Sequence, residues 1–214
     1  MGMNCLDWID RWMLASDHLG RLDSEKCRYG ATGMHVLGFV YVDHTHGISM
    51  QIESFCSFDP DGTKHMTGGP PQHNSVFLIR YDMLCDMDPV VPLADDERRR
   101  LKLPKHPKWL SSYRHEGAEP LRRLALLNPL RAEGYPDDIK FFLPGDTEHQ
   151  AELIWGRLEN SLGGDYFECE LLNEPNHDFG FHIGERVLVR VKEVPEGVSS
   201  VCLGPLSKFA EDKV

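Results

Sequence analysis

Histidine is the residue type whose spacing in this sequence most readily suggests chemistry, with eleven among 214 residues. His44 and His46 follow a predicted strand, and residues two apart on an extended chain point to the same side. A third imidazole from the next loop, His65 or His73, would complete a metal site suited to a metal-dependent hydrolase. The chain has no HExxH or CxxC pair to strengthen this interpretation, and the alternative is surface histidines that ligate nothing. A metal ion is therefore expected only under this hypothesis, and no other cofactor is predicted.

A second polar cluster lies in the connection 173–185, which reads NEPNHDFGFHIGE. Glu174 or Asp178 could act as a general base with His177 as its partner in a hydrolase or nuclease. The same residues are good turn formers, because Asn and Asp side chains bond to nearby backbone. Phe179 and Ile183 are expected to pin the loop inward. The structural interpretation is favoured, and no catalytic residue is assigned.

The sequence motifs that fix a reaction class are absent. There is no GxxxxGK[ST] phosphate loop, no GxSxG nucleophile elbow and no GxGxxG that follows a strand. Gly30, Gly33 and Gly38 precede or interrupt a predicted strand and open no helix, so a dinucleotide-binding interpretation fails on context. A non-enzymatic role is favoured, with an enzyme left open.

The charge of the chain is acidic and unevenly distributed. The formal net charge is −11. Residues 94–133 contain ten Lys/Arg against six Asp/Glu, so the remainder carries −15. This excess of acidic residues argues against a nucleic-acid-binding protein, because attraction to phosphate comes from Lys and Arg. It favours a basic protein partner, with Asp165, Glu174 and Asp178 near the C-terminal turns as candidate contacts.

The N-terminal segment places two tryptophans on a predicted helix. Leu6, Ile9 and Met13 recur at helical spacing, and Trp8 and Trp12 form an adjoining stripe. Packing of this helix on a sheet is the favoured role for the tryptophans. As alternatives, Trp8 and Trp12 would anchor a partner or become buried by self-association.

Apolar patterning predicts strands in both halves of the chain. In the first half, 35–42 is a continuous apolar run, 47–55 alternates, and 75–84 completes an antiparallel meander. In the second half, a strand at 138–143 precedes three short strands within 148–194 that are joined by polar turns.

These strands, the N-terminal helix and a basic, helical middle segment predict an α+β fold with one or two antiparallel sheets built from two meanders. The predicted domains are 1–93, a helix plus meander; 94–135, a basic helical connector; and 136–214, an antiparallel β-module. A single continuous domain is the alternative.

The C-terminal part resembles a small bacterial β-module. The resemblance rests on IWGRL at 154–158, GDYFEC at 164–169, LNEP at 172–175 and GFHIGERV at 180–187, with Gly156 where that module often has Val. The module occurs in uncharacterised proteins, some of which resemble immunity proteins of toxin systems. The resemblance implies a bacterial protein that binds another protein, and it carries no catalytic residues.

The cysteines and the N-terminal residues indicate the cellular compartment in which the protein is expected to work. The six cysteines include no CxxC pair, and a chain of this length needs no disulfides. The N-terminus MGMNCLDWIDRWM has acids where a secretory signal has bases, and no apolar run reaches membrane-spanning length. We expect a reduced, cytoplasmic protein without a membrane partner.

Taken together, the sequence favours a non-enzymatic, acidic binding protein, such as an immunity or inhibitor protein that caps a basic partner. The first alternative is a metal-dependent hydrolase built on His44 and His46. The second is a structural accessory subunit that self-associates through Trp8 and Trp12.

Overall fold

The computed structural model describes residues 5–59, 63–69, 77–145, 147 and 150–210. The chain divides into two units, Met1–Tyr113 (unit 1) and Arg114–Val214 (unit 2). Both are built mainly from strands, and the helices of the described residues are all short. The predicted α+β class is therefore wrong, and the fold is mostly β.

Unit 1 contains one antiparallel sheet. Its strands are β1 (Arg11–Ser16), β2 (His35–Asp43), β3 (Gly47–Phe58), β4 (Lys64–Gly68), β5 (Leu78–Arg80) and β6 (Val90–Pro92). They lie in the order β4-β3-β2-β1-β6, and β5 pairs with β3. The predicted strands at 35–42 and 47–55 correspond to β2 and β3.

The sheet of unit 1 is buried on both faces. In β1, Met13 and Ala15 join one apolar cluster, while Trp12 and Leu14 join another. Neighbouring residues of a strand point to opposite faces, so each cluster covers one face of the sheet. This explains why the apolar runs of β1 and β2 do not alternate with polar residues.

The predicted N-terminal helix is wrong. The helical spacing of Leu6, Ile9 and Met13 is realised instead as a 3₁₀ turn, Cys5–Trp8, followed by β1. Asp10, between the two, has a left-handed backbone with φ of 62°, which a continuing helix does not allow. A short run that is apolar at every position fits a strand buried on both faces as well as a helix, and periodicity alone does not separate them.

The helices of unit 1 are α1 (Asp23–Arg28), α2 (Tyr81–Cys85) and α3 (Asp95–Arg100), with a 3₁₀ turn at Lys108–Tyr113. Helix α2 occupies part of the strand predicted at 75–84. Ile79 in β5 and Leu84 in α2 belong to the same core cluster, so the change to helix keeps both side chains on the core.

Unit 2 is built around a closed barrel of five strands. After the two-residue β7 (Arg131–Ala132), the barrel strands are β8 (Tyr135–Leu143), β9 (Glu152–Gly163), β10 (Tyr166–Leu171), β11 (Arg186–Val194) and β12 (Gly197–Pro205), and a short helix, α4 (Ser207–Ala210), follows. Consecutive barrel strands pair antiparallel, and β12 returns to pair with β8 in parallel, with Val201 opposite Phe142. Five strands of alternating direction begin and end in the same direction, so the closing pair has to be parallel. Closure pairs the two strands that would otherwise be the edges of this sheet.

Alternate residues of the barrel strands fill its interior with apolar side chains. They are Ile139, Phe141, Leu143, Ile154, Leu158, Phe167, Cys169, Leu171, Val187, Val189, Val191 and Cys202. Burial raises the pKa of the Cys202 thiol to about 11 and that of Cys169 well above its usual value. Both thiols therefore stay protonated and behave as small apolar groups.

The predicted helical middle segment is wrong beyond the short helix α3 (Asp95–Arg100), which lies within it. Within it, the stretch before β7 forms two 3₁₀ turns, Leu121–Arg123 and Ala125–Leu130, separated at Leu124 by an extended backbone. Leu121, together with Leu127 and Leu130 of the second turn, packs into the barrel core. This packing, together with a proline inside the second turn, outweighs the helical spacing of the leucines.

A substitution at Gly156 tests how tightly the barrel interior is packed. An ideal Cβ at this position of β9 would lie 2.5 Å from Cε1 of Phe141, whose ring is fully buried. We expect Gly156→Ala to lower the free energy of unfolding by about 1–2 kcal/mol, because the ring has no free space to move into. Chemical denaturation measures the change.

The matched control is Leu162→Ala in the same strand, where the leucine is 45% exposed. This variant is expected to change stability by less than about 1 kcal/mol. A Gly156→Ala protein as stable as the wild type would contradict the packing described here.

Candidate binding loop at one end of the barrel

The connection between β10 and β11, residues 172–185, is held in one conformation by its own carboxylates; we call it the acidic loop. Glu174 accepts a hydrogen bond from the backbone N–H of Ile183 at 2.9 Å, and its other oxygen lies 2.6 Å from Nδ1 of His182. Asp178 accepts the N–H of Gly180 at 2.8 Å, and Glu185 accepts the N–H of His182 at 3.0 Å. Each carboxylate thus satisfies a backbone donor that has no strand partner.

A carboxylate from outside the loop completes this arrangement. Glu152, the first residue of β9, accepts the backbone N–H of Asn176 at 2.8 Å and that of His177 at 2.9 Å. It also accepts the side-chain amide of Asn176 at 3.0 Å. The start of β9 and the acidic loop are therefore tied together at the same end of the barrel.

Apolar contacts fix the loop from beneath and leave one side chain outside. Phe181 is buried in the barrel core, and Phe179 stacks on it with ring centroids 6.2 Å apart. Pro175 is also buried. Ile183 is 56% exposed, so the expectation that it pins the loop inward is wrong. The loop presents an isoleucine to solvent from a fixed backbone.

The hydrogen bonds shift the pKa values of the carboxylates. The Ile183 N–H and then His182 hold the pKa of Glu174 below its usual value. Burial alone would raise the pKa of Glu152, but the donors of Asn176 and His177 outweigh it and the net pKa is lowered. Carboxylates with lowered pKa values stabilise the fold above their unfolded pKa and lose this effect as the pH falls through the folded one. The loop is therefore expected to loosen in acid.

The pKa of His182 moves in the opposite direction. Its hydrogen bond to Glu174 and the charge of that carboxylate raise the pKa above the usual histidine value. The ion pair contributes fully below the unfolded pKa of histidine and is lost as the pH rises through the raised folded value. The two groups are oppositely charged between the lowered pKa of Glu174 and the raised pKa of His182.

A second charged cluster lies on the outer face of the barrel, where β9 contains a β-bulge. Leu158 lies opposite Cys169 and Asn160 opposite Glu168, which leaves Glu159 as the extra residue. Bulges redirect a side chain and are frequent next to functional sites. Here Glu159, the extra residue of the bulge, is buried.

The guanidinium of Arg186 joins this bulge to the neighbouring strand. It lies 2.9 Å from Glu159, 3.3 Å from Glu168 and 3.3 Å from Glu170. Three carboxylates thus surround one cation, so this cluster is negative. The sequence showed no motif for this cluster, because the bulge that creates it depends on strand register.

His115 of unit 2 approaches the same bulge. Its Nε2 lies 3.1 Å from Glu159, and its Nδ1 accepts the N–H of Ala118 at 3.2 Å. An Nδ1 that accepts a hydrogen bond leaves the proton on Nε2, which donates to Glu159. Both ring nitrogens are therefore engaged within unit 2.

The candidate acidic contacts do not all converge. Glu174 and Asp178 share the acidic loop. Asp165 lies in the turn between β9 and β10, at the other end of β10, with a carboxylate oxygen 3.8 Å from Arg190. Two of the three predicted acidic contacts are thus brought together.

The two tryptophans lie inside unit 1. Trp8 packs into the core cluster of Met13, and Trp12 packs into the cluster on the other face of the sheet. The indole N–H of Trp12 donates to the carbonyl of Pro104 at 2.8 Å. Their side chains are 9% and 5% exposed, so both act as core residues of this unit.

The histidines proposed as metal ligands are spread over unit 1. His44 and His46 lie in the turn after β2, and Nδ1 of His46 is 3.2 Å from Asp43. Nε2 of His65, in β4, is 2.7 Å from Asp59. Each of these two exposed imidazoles is thus oriented by its own neighbouring aspartate.

His73 lies outside the described residues. Within the described ranges, neither His46 nor His65 belongs to a group of three His, Cys, Asp or Glu side chains close enough to share an ion. The two-residue spacing of His44 and His46 therefore does not assemble the predicted ligand set with His65.

Comparison with protein families, with curated proteins and with solved structures finds no match to this chain. Within the part of the chain that the structure describes, no helix is long and apolar enough to cross a membrane.

The pair of Glu174 and His182 provides a direct test of the loop geometry. In Glu174→Gln the pKa of His182 is expected to fall towards its usual value, because the variant keeps the shape and loses the negative charge. NMR titration of the His182 imidazole measures this pKa in the full chain.

Asp165→Asn is the matched control, since Asp165 lies at the other end of β10 and its loss should leave the pKa of His182 unchanged. An equal effect of both variants, or none from Glu174→Gln, would rule out the pairing.

Proposed function

We propose that this protein binds a basic protein partner through the acidic loop, in the manner of an inhibitor or immunity protein. The observation that carries the proposal is the fixed backbone of residues 172–185, which presents the exposed Ile183 among carboxylates. The barrel supplies the support, and the loop supplies the contact surface.

The hydrogen bonds of the loop favour this use. A loop that is ordered before binding loses less conformational entropy in the complex than one that has to fold on its partner. Glu152 and Glu174 fix the backbone N–H groups of Asn176, His177 and Ile183. Functional loops on rigid scaffolds commonly have this organisation.

The side chains of the loop define the chemistry of the partner. Residues 172–185 contain three Asp/Glu and no Lys or Arg, and Ile183 supplies an apolar contact. Interfaces commonly combine an apolar centre with a polar rim. The matching surface would have an apolar pocket for Ile183 and surrounding Lys or Arg side chains.

The net charge of unit 2 extends this preference beyond the loop. Residues 114–214 contain nineteen Asp/Glu against eleven Lys/Arg, a formal charge of −8. Residues 1–113 carry −3. Such a field speeds encounter with a cationic protein and weakens as salt screens it.

The test is affinity capture by the full chain from a lysate of the source organism, with captured proteins quantified by mass spectrometry. Wild-type protein is expected to capture a basic partner, with the amount falling from low to moderate salt. Ile183→Asp is expected to reduce capture of the same partner at least about tenfold, because it places a charge where an apolar pocket has to close.

Leu162→Asp is the matched control, because Leu162 is 45% exposed and lies at the end of β9 away from the acidic loop. Circular dichroism melting would establish that both variants fold. Equal capture by wild type and Ile183→Asp, or capture that salt does not alter, would contradict the proposal.

A further inference from the structure

Unit 1 contains a cleft that the proposed binding function does not use. Its volume is about 320 Å³, at the small end of the range for ligand sites. The beginning of β1 with Asp10, the connection from β6 into α3, and the loop after α3 line the cleft.

Hydrogen bonds between these three segments hold the cleft in shape. The backbone N–H of Leu93 donates to the carbonyl of Trp12 at 2.8 Å, and the indole of Trp12 donates to Pro104 at 2.8 Å. Arg98 donates to the carbonyl of Leu103 at 2.9 Å. The apolar wall formed by Trp12 and Leu93 is therefore fixed without a ligand.

Three cationic and two carboxylate side chains line the cleft. Arg98 is engaged with Asp95, whose carboxylate lies 3.2 Å from its Nε. Arg11 and Lys105 are exposed, and neither is in an ion pair with another residue that the structure describes. Asp10 is the remaining acid, so two unpaired cations face one carboxylate. An exposed imidazole, His106, adds a ring nitrogen to the same lining.

From this arrangement we infer that the cleft binds a small multivalent oxyanion, such as a phosphate ester or a polycarboxylate. Arg11 and Lys105 would supply the charge-assisted hydrogen bonds, and the planar guanidinium suits two oxygens of one anionic group. Trp12 and Leu93 would contact the less polar part of the ligand. An anion site on a protein with a net charge of −11 requires a local concentration of cations, and the cleft provides it.

The experiment is isothermal titration calorimetry of the full chain with pyrophosphate and, separately, with citrate. Binding of at least one probe with a dissociation constant of about 1 mM or tighter is expected. The NMR signal of the Trp12 indole N–H should shift on binding, whereas that of Trp155, on β9 of unit 2, should not. The probe that binds more tightly identifies the phosphate or the carboxylate class.

The double variant Arg11→Gln/Lys105→Gln should weaken binding at least about tenfold, because both unpaired cations are lost. Arg99→Gln/Lys108→Gln is the matched control, since it removes two exposed cations of the same unit that do not line the cleft. Absence of binding by both probes, or equal weakening in the two double variants, would overturn the inference. Because the cleft and the acidic loop belong to different units, this result is independent of the partner-capture result.

Discussion

Every backbone N–H of an ordered but irregular loop needs an acceptor, and this requirement shapes the acidic loop. Residues 172–185 form neither helix nor strand. The N–H groups of Leu172, Gly184 and Glu185 donate to backbone carbonyls, and others need side-chain acceptors. Glu152, Glu174 and Glu185 accept the N–H groups of Asn176, His177, His182 and Ile183. Some of the carboxylates of unit 2 therefore have a structural role, because they hold the backbone of the acidic loop. They also contribute to the negative electrostatic potential around the unit.

The closed barrel determines where these acceptors lie. In a meander, successive connections alternate between the two ends, so the β8–β9 and β10–β11 connections share one end. Glu152 begins β9 at that end and reaches Asn176 and His177, which are 24 and 25 residues away in the sequence. The parallel closing pair of β8 and β12 fixes the circumference. The loop geometry thus depends on the five-strand closure.

Much of the strand content could be predicted from local pattern. The continuous run of β2, the alternation of β3 and the odd-numbered apolar residues of β10 and β11 each reflect the surroundings of one strand. The turn chemistry at 173–178 was also readable, because Asp178 bonds to a residue two positions on. These features depend on neighbours close in sequence.

The remaining features depend on contacts between residues that are far apart in the sequence, which local pattern does not reveal. The segment 11–16 resembled a helix because both its faces are buried, a fact set by layers from elsewhere in unit 1. Glu159 is buried at a register shift between β9 and β10, and that register is not readable from local pattern. The sequence predicts Ile183 as an anchor of the loop, yet Phe181, two residues earlier, is the residue buried in the barrel core. Local pattern shows that a residue is apolar and does not show whether it is covered.

The central claim is that the acidic loop is ordered by its carboxylates before any partner binds. Amide hydrogen exchange of the full chain at neutral pH tests it most directly, at the N–H groups of Asn176, His177 and Ile183. We expect exchange at least about a hundredfold slower than in an unstructured peptide, close to that of the β10 and β11 amides. Exchange of these three amides at unprotected rates, with the β10 and β11 amides protected, would contradict it.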